Sequence, residues 1–181
     1  NDRLHSAYGF LYLYADTLKG ELIGQGDQMW PDQQGEGWPS WTFSNHDAPR
    51  AVSRWAKGRD EKAFSEMALL LLMSLRGNVF VYQGEELGLP QAEVPFERLV
   101  DPEAIANWPQ TLGRDGARTP MPWVETAPNA GFSTVEPWLP VEPALVPPVE
   151  DDEEDVSRTP LQPTARAAAQ AARANCFFIA T

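Results

Sequence analysis

Trp38-Pro39-Ser40-Trp41-Thr42-Phe43-Ser44-Asn45-His46-Asp47-Ala48-Pro49-Arg50 is the stretch on which the chain turns. The aromatic, β-prone run Trp41 to Phe43 breaks into the polar trio Asn45-His46-Asp47. Pro49, which has no backbone N–H to donate, then prevents a smooth continuation of the strand. In parallel α/β folds the groups that meet ligands project from the carboxyl ends of strands, so an amide, an imidazole and a carboxylate placed there are well positioned for a polar ligand. Polar residues on a loop after a strand are also common, and the flanking sequence must decide between the two readings.

Downstream, Asp60 is placed to cap a helix in which Phe64, Met67, Ala68, Leu71, Leu72 and Leu75 recur at helical spacing, and Arg76-Gly77 closes it. Asn78-Val79-Phe80-Val81-Tyr82 has the composition of a strand. Strand, turn, helix and strand over residues 41–82 form a βαβ unit. Upstream, Leu4 to Leu13 carries Tyr8, Phe10, Tyr12 and Tyr14 alongside, a composition expected of a third parallel strand buried on both faces, its aromatics in the core. A short helix is expected around Lys19 to Trp30, and a turn over Gly35 to Pro39. Trp38 and Trp41 could stack on the flat face of a ligand, but tryptophans beside a strand usually pack. From Leu87 to Trp123, six prolines at 90, 95, 102, 109, 120 and 122 predict a long ordered loop with little regular structure.

Three segments in order resemble the α-amylase superfamily of glycoside hydrolases, family 13, and within it the α-glucosidase and oligo-1,6-glucosidase branch. Residues 38–50 resemble the family's fourth signature region; Tyr82-Gln83-Gly84-Glu85-Glu86-Leu87-Gly88 is similar to the segment after its last barrel strand. Gly113-Arg114-Asp115-Gly116-Ala117-Arg118-Thr119-Pro120-Met121-Pro122-Trp123 is similar to a stretch typical of α-glucosidases. Leu4 to Phe10 is similar to the family's sixth strand. The resemblance implies an α/β fold: a partial (β/α)8 TIM barrel comprising about the last three strands with their helices and loops. A complete barrel needs about 250 residues, so the 181-residue chain is expected to be the carboxyl-terminal portion of the catalytic barrel, over residues 1–143.

Residues 144–181 are expected to be a disordered tail, Pro-rich, acidic and of low complexity. Pro137 to Pro163 holds seven of the 17 prolines and Glu150 to Asp155 is unbroken acid, although Ala165 to Ala174 could form a helix. The abrupt shift in composition reads as a reading-frame or gene-assembly artefact, with a partner-binding acidic tail as the alternative.

Composition narrows the chemistry. A net charge of −12 argues against nucleic acid or an anionic membrane as partner. Cys176 is the single cysteine, and His5 and His46 are the two histidines, which is too few for a disulfide or a convincing metal site. The longest apolar run, Met67 to Leu75, falls far short of the ~20 residues of a membrane span. A cytoplasmic location is expected, with a small oligosaccharide or disaccharide as the binding partner.

The residue roles follow from the resemblance. The family's retaining mechanism uses a nucleophile and an acid/base about 5 Å apart, both on strands that would precede residue 1, so the isolated fragment is expected to be inactive. Asp47 matches the third catalytic carboxylate, which grips two ring hydroxyls of the scissile glucose; an N-cap role is its other reading. His46 would bind a neighbouring hydroxyl, and Asn45 would hold the turn. Arg114 would reach the non-reducing end of the glucose; its other reading is a loop-stabilising ion pair with Asp115 or Asp101. No organic cofactor is expected. The calcium or magnesium ion of the family would sit in an amino-terminal loop. The implied reaction is release of terminal α-linked glucose from short oligosaccharides. The alternatives are a sucrose- or trehalose-converting transglycosylase of the same superfamily and a non-catalytic transporter heavy-chain relative.

Overall fold

The computed structural model of the chain describes residues 6–30, 37–124 and 126–141. The tail expected over residues 144–181, with its alanine-rich helix and Cys176, lies outside the described residues, as does His5.

Three strands form one parallel sheet in the order β1 (Ser6–Gly9), β2 (Trp38–Thr42), β3 (Asn78–Phe80). In register, Ser6 lies opposite Trp38 and Gly9 opposite Trp41, while Ser40 lies opposite Asn78 and Thr42 opposite Phe80. Parallel neighbours cannot be joined by a tight turn and need a crossover. Helix α1 (Gly20–Met29) supplies the first, and α2 (Ala51–Trp55) with α3 (Glu61–Ser74) the second. Asp60 caps α3 by accepting from the Ala63 N–H at 3.0 Å, and Gly77, at φ +139°, turns the chain directly into β3.

Side chains alternate across a strand, and the two faces of this sheet differ. Trp41, with Phe43 just beyond β2, joins Tyr12, Val52, Trp55, Phe64, Ala68, Leu72 and Val81 in the main core. There Tyr12 meets Trp41 and Phe43 edge-on, with ring centroids 5.3 and 5.2 Å apart, and Phe43 meets Trp55 at 5.0 Å. The opposite face carries a polar cluster: Ser6 Oγ lies 2.6 Å from Ser40 Oγ, and Asn78 Nδ2 reaches both hydroxyls at 3.4 Å.

Four expectations need correction. The first strand stops at Gly9 and does not run to Leu13. Beyond it the chain turns, so that Tyr12 enters the core while Phe10 and Tyr14 stack on each other at 52% and 66% exposure, outside it. The second strand begins at Trp38 and includes Pro39, because pairing with β1 extends the ladder through the expected turn. Trp41 packs as expected, but Trp38 is 46% exposed and carries the Arg76 guanidinium 5.5 Å above its ring. Finally, the loop from Leu87 to Trp123 contains a short helix, α4 (Pro102–Asn107), capped by Asp101 accepting from the Glu103 N–H. An N-cap aspartate followed by proline at the first helical position is a helix-start signal that overrides the proline count.

Candidate active site

The carboxyl end of β2 is shaped by short-range hydrogen bonds. Asn45 Oδ1 accepts from the N–H groups of Asp47 at 2.8 Å and Ala48 at 2.9 Å, closing an Asx turn that reverses the chain before Pro49. Asn45 therefore holds the turn, and α2 starts without any side-chain cap, so Asp47 is not an N-cap. With its backbone fixed by Asn45, the Asp47 carboxylate is left to project; its side chain is 42% exposed.

That carboxylate lies among three basic side chains. His46 Nε2 stands 3.2 Å from Asp47 Oδ2. Arg118 Nη2 donates to Asp47 Oδ1 at 3.0 Å, and Arg114 Nη1 reaches the same oxygen at 3.5 Å. All three residues singled out from the sequence, Asp47, His46 and Arg114, thus meet at one end of the sheet. Arg118 escaped that reading: it lies four residues beyond Arg114, past Gly116, and nothing in its local spacing signals a contact with Asp47.

Arg114 has two sets of partners. Its Nε and Nη2 donate to Asp101 Oδ2 at 2.9 Å and Oδ1 at 2.6 Å, and its backbone N–H to Oδ2 at 2.8 Å. These bonds hold the buried Asp101 carboxyl well below the usual carboxylate range and raise the Arg114 guanidinium above its own. The loop-stabilising pair and the site-facing arginine are therefore the same residue, with Nη1 left to face Asp47. Asp115 instead accepts from the N–H groups of Val100 and Asp101, at 2.6 and 2.8 Å. Gly113, at φ +64°, lets the chain pass this close: a Cβ there would come within 2.4 Å of Ala104 Cβ.

The arginine-bearing segment is fastened to the sheet end by buried Arg50. Arg50 Nη1 donates to the Gln83 carbonyl at 2.7 Å and Nη2 to the Ala117 carbonyl at 3.3 Å, with the guanidinium 5.1 Å from the centre of the Tyr82 ring. Tyr82 Oη donates to the same Ala117 carbonyl at 2.8 Å, and Arg50 N–H donates to Gln91 Oε1 at 3.0 Å. Beneath the site, Glu85 Oε2 accepts from the Tyr82 N–H at 2.9 Å, and burial pushes its carboxyl up to about 7. Burial likewise raises the Glu86 carboxyl, which accepts from the Gly84 N–H at 2.8 Å.

Among the described residues no three His, Cys, Asp or Glu side chains are grouped to hold a metal ion. No described helix is long and apolar enough to cross a membrane.

Three adjacent parallel strands, one face packed on helices and the other carrying a polar cluster, with charged groups gathered at the carboxyl ends, have the arrangement of part of a parallel (β/α)8 barrel. The family described as the α-amylase catalytic domain matches residues 20–170, and the chain belongs to that family. A probable α-glucosidase of Rhizobium meliloti is 46% identical over 147 residues, which are 81% of this chain and 26% of that protein. A glucan 1,6-α-glucosidase of Streptococcus pneumoniae is 40% identical over 128 residues, covering 60% of this chain and 23% of that protein. The crystal structure of an α-glucosyl transfer enzyme, XgtA, superposes with a TM-score of 0.69 at 42% identity, over 95% of this chain and 28% of that one. The chain spans about a quarter of the length of the curated relatives it matches.

Proposed function

We propose that the chain is the carboxyl-terminal barrel portion of an α-glucosidase-type enzyme that releases terminal α-linked glucose from short oligosaccharides with net retention. The observation that carries this reading is the grouping of Asp47, His46 and Arg114 at the carboxyl end of β2. A carboxylate accepts two hydrogen bonds at once, which suits adjacent ring hydroxyls, and a guanidinium fixed by its neighbours offers directed donors at the rim. In this role Asp47 binds the sugar more tightly as its ring flattens and gains positive charge, which is how a non-nucleophilic carboxylate lowers a barrier. His46 and Arg114 bind hydroxyls of the same residue, with Arg114 at its non-reducing end. The nucleophile and acid/base come from strands upstream of residue 1, so the 181-residue piece is inactive alone. The enzyme acts in the cytoplasm and needs no organic cofactor.

A second reading has a specific observation behind it: the solved relative XgtA is an α-glucosyl transfer enzyme. Water and a second sugar compete for one glycosyl intermediate, so transfer differs from hydrolysis in the acceptor alone. Product analysis separates the two. The full-length protein, residues 1–181 joined to their upstream coding sequence, is given maltose and the products are followed by proton NMR. Glucose appearing first as the α-anomer supports retaining hydrolysis; new glucosyl-sugars in place of free glucose support transfer; β-glucose appearing first would rule out retention.

A further inference from the structure

Arg118 makes a two-pronged contact with the site. Its Nε donates to the His46 carbonyl at 2.9 Å and its Nη2 to Asp47 Oδ1 at 3.0 Å. One rigid, planar group therefore spans the backbone of one residue and the carboxylate of the next, fixing both the peptide that leads into Asp47 and the rotation of the side chain. Three other arginines bear on the same loop, and none does this: Arg54 bonds the carbonyls of Phe43 and Pro49 at its two ends and does not reach Asp47. Arg114 reaches Oδ1 from 3.5 Å, beyond the range of a charge-assisted bond, with its fork committed to Asp101. Arg50 is buried and bonds carbonyls of Gln83 and Ala117.

The base of Arg118 is itself held. Its N–H donates to the Asp115 carbonyl at 2.9 Å, and the neighbouring Ala117 carbonyl accepts from both Tyr82 Oη and Arg50 Nη2. A guanidinium on an anchored segment is a fixed reference against which a carboxylate is aimed.

We infer that Arg118 is the positioning residue of Asp47, setting the orientation in which that carboxylate meets the sugar. This rests on the glycosidase reading of Asp47. A lysine cannot replace it, since one ammonium nitrogen cannot take both acceptors in the geometry of a guanidinium fork.

The test is a double-mutant cycle in the full-length protein, with kcat and KM for p-nitrophenyl α-glucoside and a melting temperature for each variant. Arg118→Gln is expected to lower kcat by about 100-fold, the scale of a misplaced catalytic group, with the smaller change in KM; Arg118→Lys falls between it and wild type. In an Asp47→Asn background the same Arg118→Gln change costs no further activity, because its target is already gone. Losses that multiply in the double variant, or wild-type kcat in folded Arg118→Gln, overturn the inference. Should Arg118→Gln fail to fold, wild-type kcat in Arg118→Lys overturns it as well. A different pattern marks failure of the underlying reading: an inactive wild type or an undiminished Asp47→Asn brings both down, whereas a crippled Asp47→Asn beside an intact Arg118→Gln overturns the Arg118 inference alone.

Discussion

Arg114 and Asp101 are joined by two parallel side-chain hydrogen bonds, 2.9 and 2.6 Å long, with the carboxylate fully buried and the guanidinium partly exposed. The pair closes the loop over α4 and leaves Nη1 of Arg114 facing Asp47. Asp101→Asn removes the charge that organises three donors from Arg114 and is expected to destabilise the full-length protein by about 2 kcal/mol, the scale of bonds to a charged group. Because the folded carboxyl is held below its ordinary value of about 4, its contribution is complete above that pH and is lost as pH falls through the folded value. Melting temperatures of wild type and Asp101→Asn therefore differ near neutrality and converge in strong acid. An equal gap at every pH would contradict the account.

Glu85 has the opposite sign. Burial raises its folded value to about 7, above the unfolded value of about 4.3. The folded state thus binds the proton more tightly between these values, and stability falls as pH rises through that window, by about 4 kcal/mol at most. Glu85→Gln, which keeps an oxygen to accept from the Tyr82 N–H, is expected to match wild type near pH 4 and to melt higher at pH 8. Thermal melts across that range check it; a variant less stable at pH 8 would show that Glu85 is stabilised as a carboxylate.

The ring chain Tyr12–Phe43–Trp55 secures the end of β2 from below, with Phe43 one residue past the strand and fully buried. Phe43→Ala leaves a cavity between β2 and α2 and is expected to cost about 3–5 kcal/mol, read from urea unfolding. A loss below 1 kcal/mol would mean that the site end of β2 repacks freely.

What the sequence disclosed and what it withheld divide along the range of the interactions. The crossover helix was legible because Asp60, the spacing of Phe64, Ala68 and Leu72, and Gly77 are local signals, and each does what its spacing predicts. Asn45 as the turn former follows from an amide oxygen placed two and three residues before the N–H groups that donate to it, those of Asp47 and Ala48. The end of β1 was not legible, because Leu11 to Leu13 is as apolar as a strand, while the turn there goes with long-range packing of Tyr12 against Trp41 and Phe43. Nor was Arg118: its bonds to His46 and Asp47 bridge 72 and 71 residues, and local chemistry gives two arginines four apart the same standing. The dual engagement of Arg114 was half legible, since Asp101 could be named as a partner while the approach to Asp47 depends on how the loop folds back.

The most direct test of the central claim is p-nitrophenol release from p-nitrophenyl α-glucoside by three proteins: the 181-residue chain, the full-length protein, and the full-length protein carrying Asp47→Asn. The account predicts an active full-length protein, a silent 181-residue chain, and a loss of about 10²–10³ in kcat for Asp47→Asn, the scale of removing one preorganised transition-state contact. A folded full-length protein with no activity would contradict it in favour of a non-catalytic relative, and activity in the 181-residue chain alone would show that the nucleophile and acid/base lie within these residues.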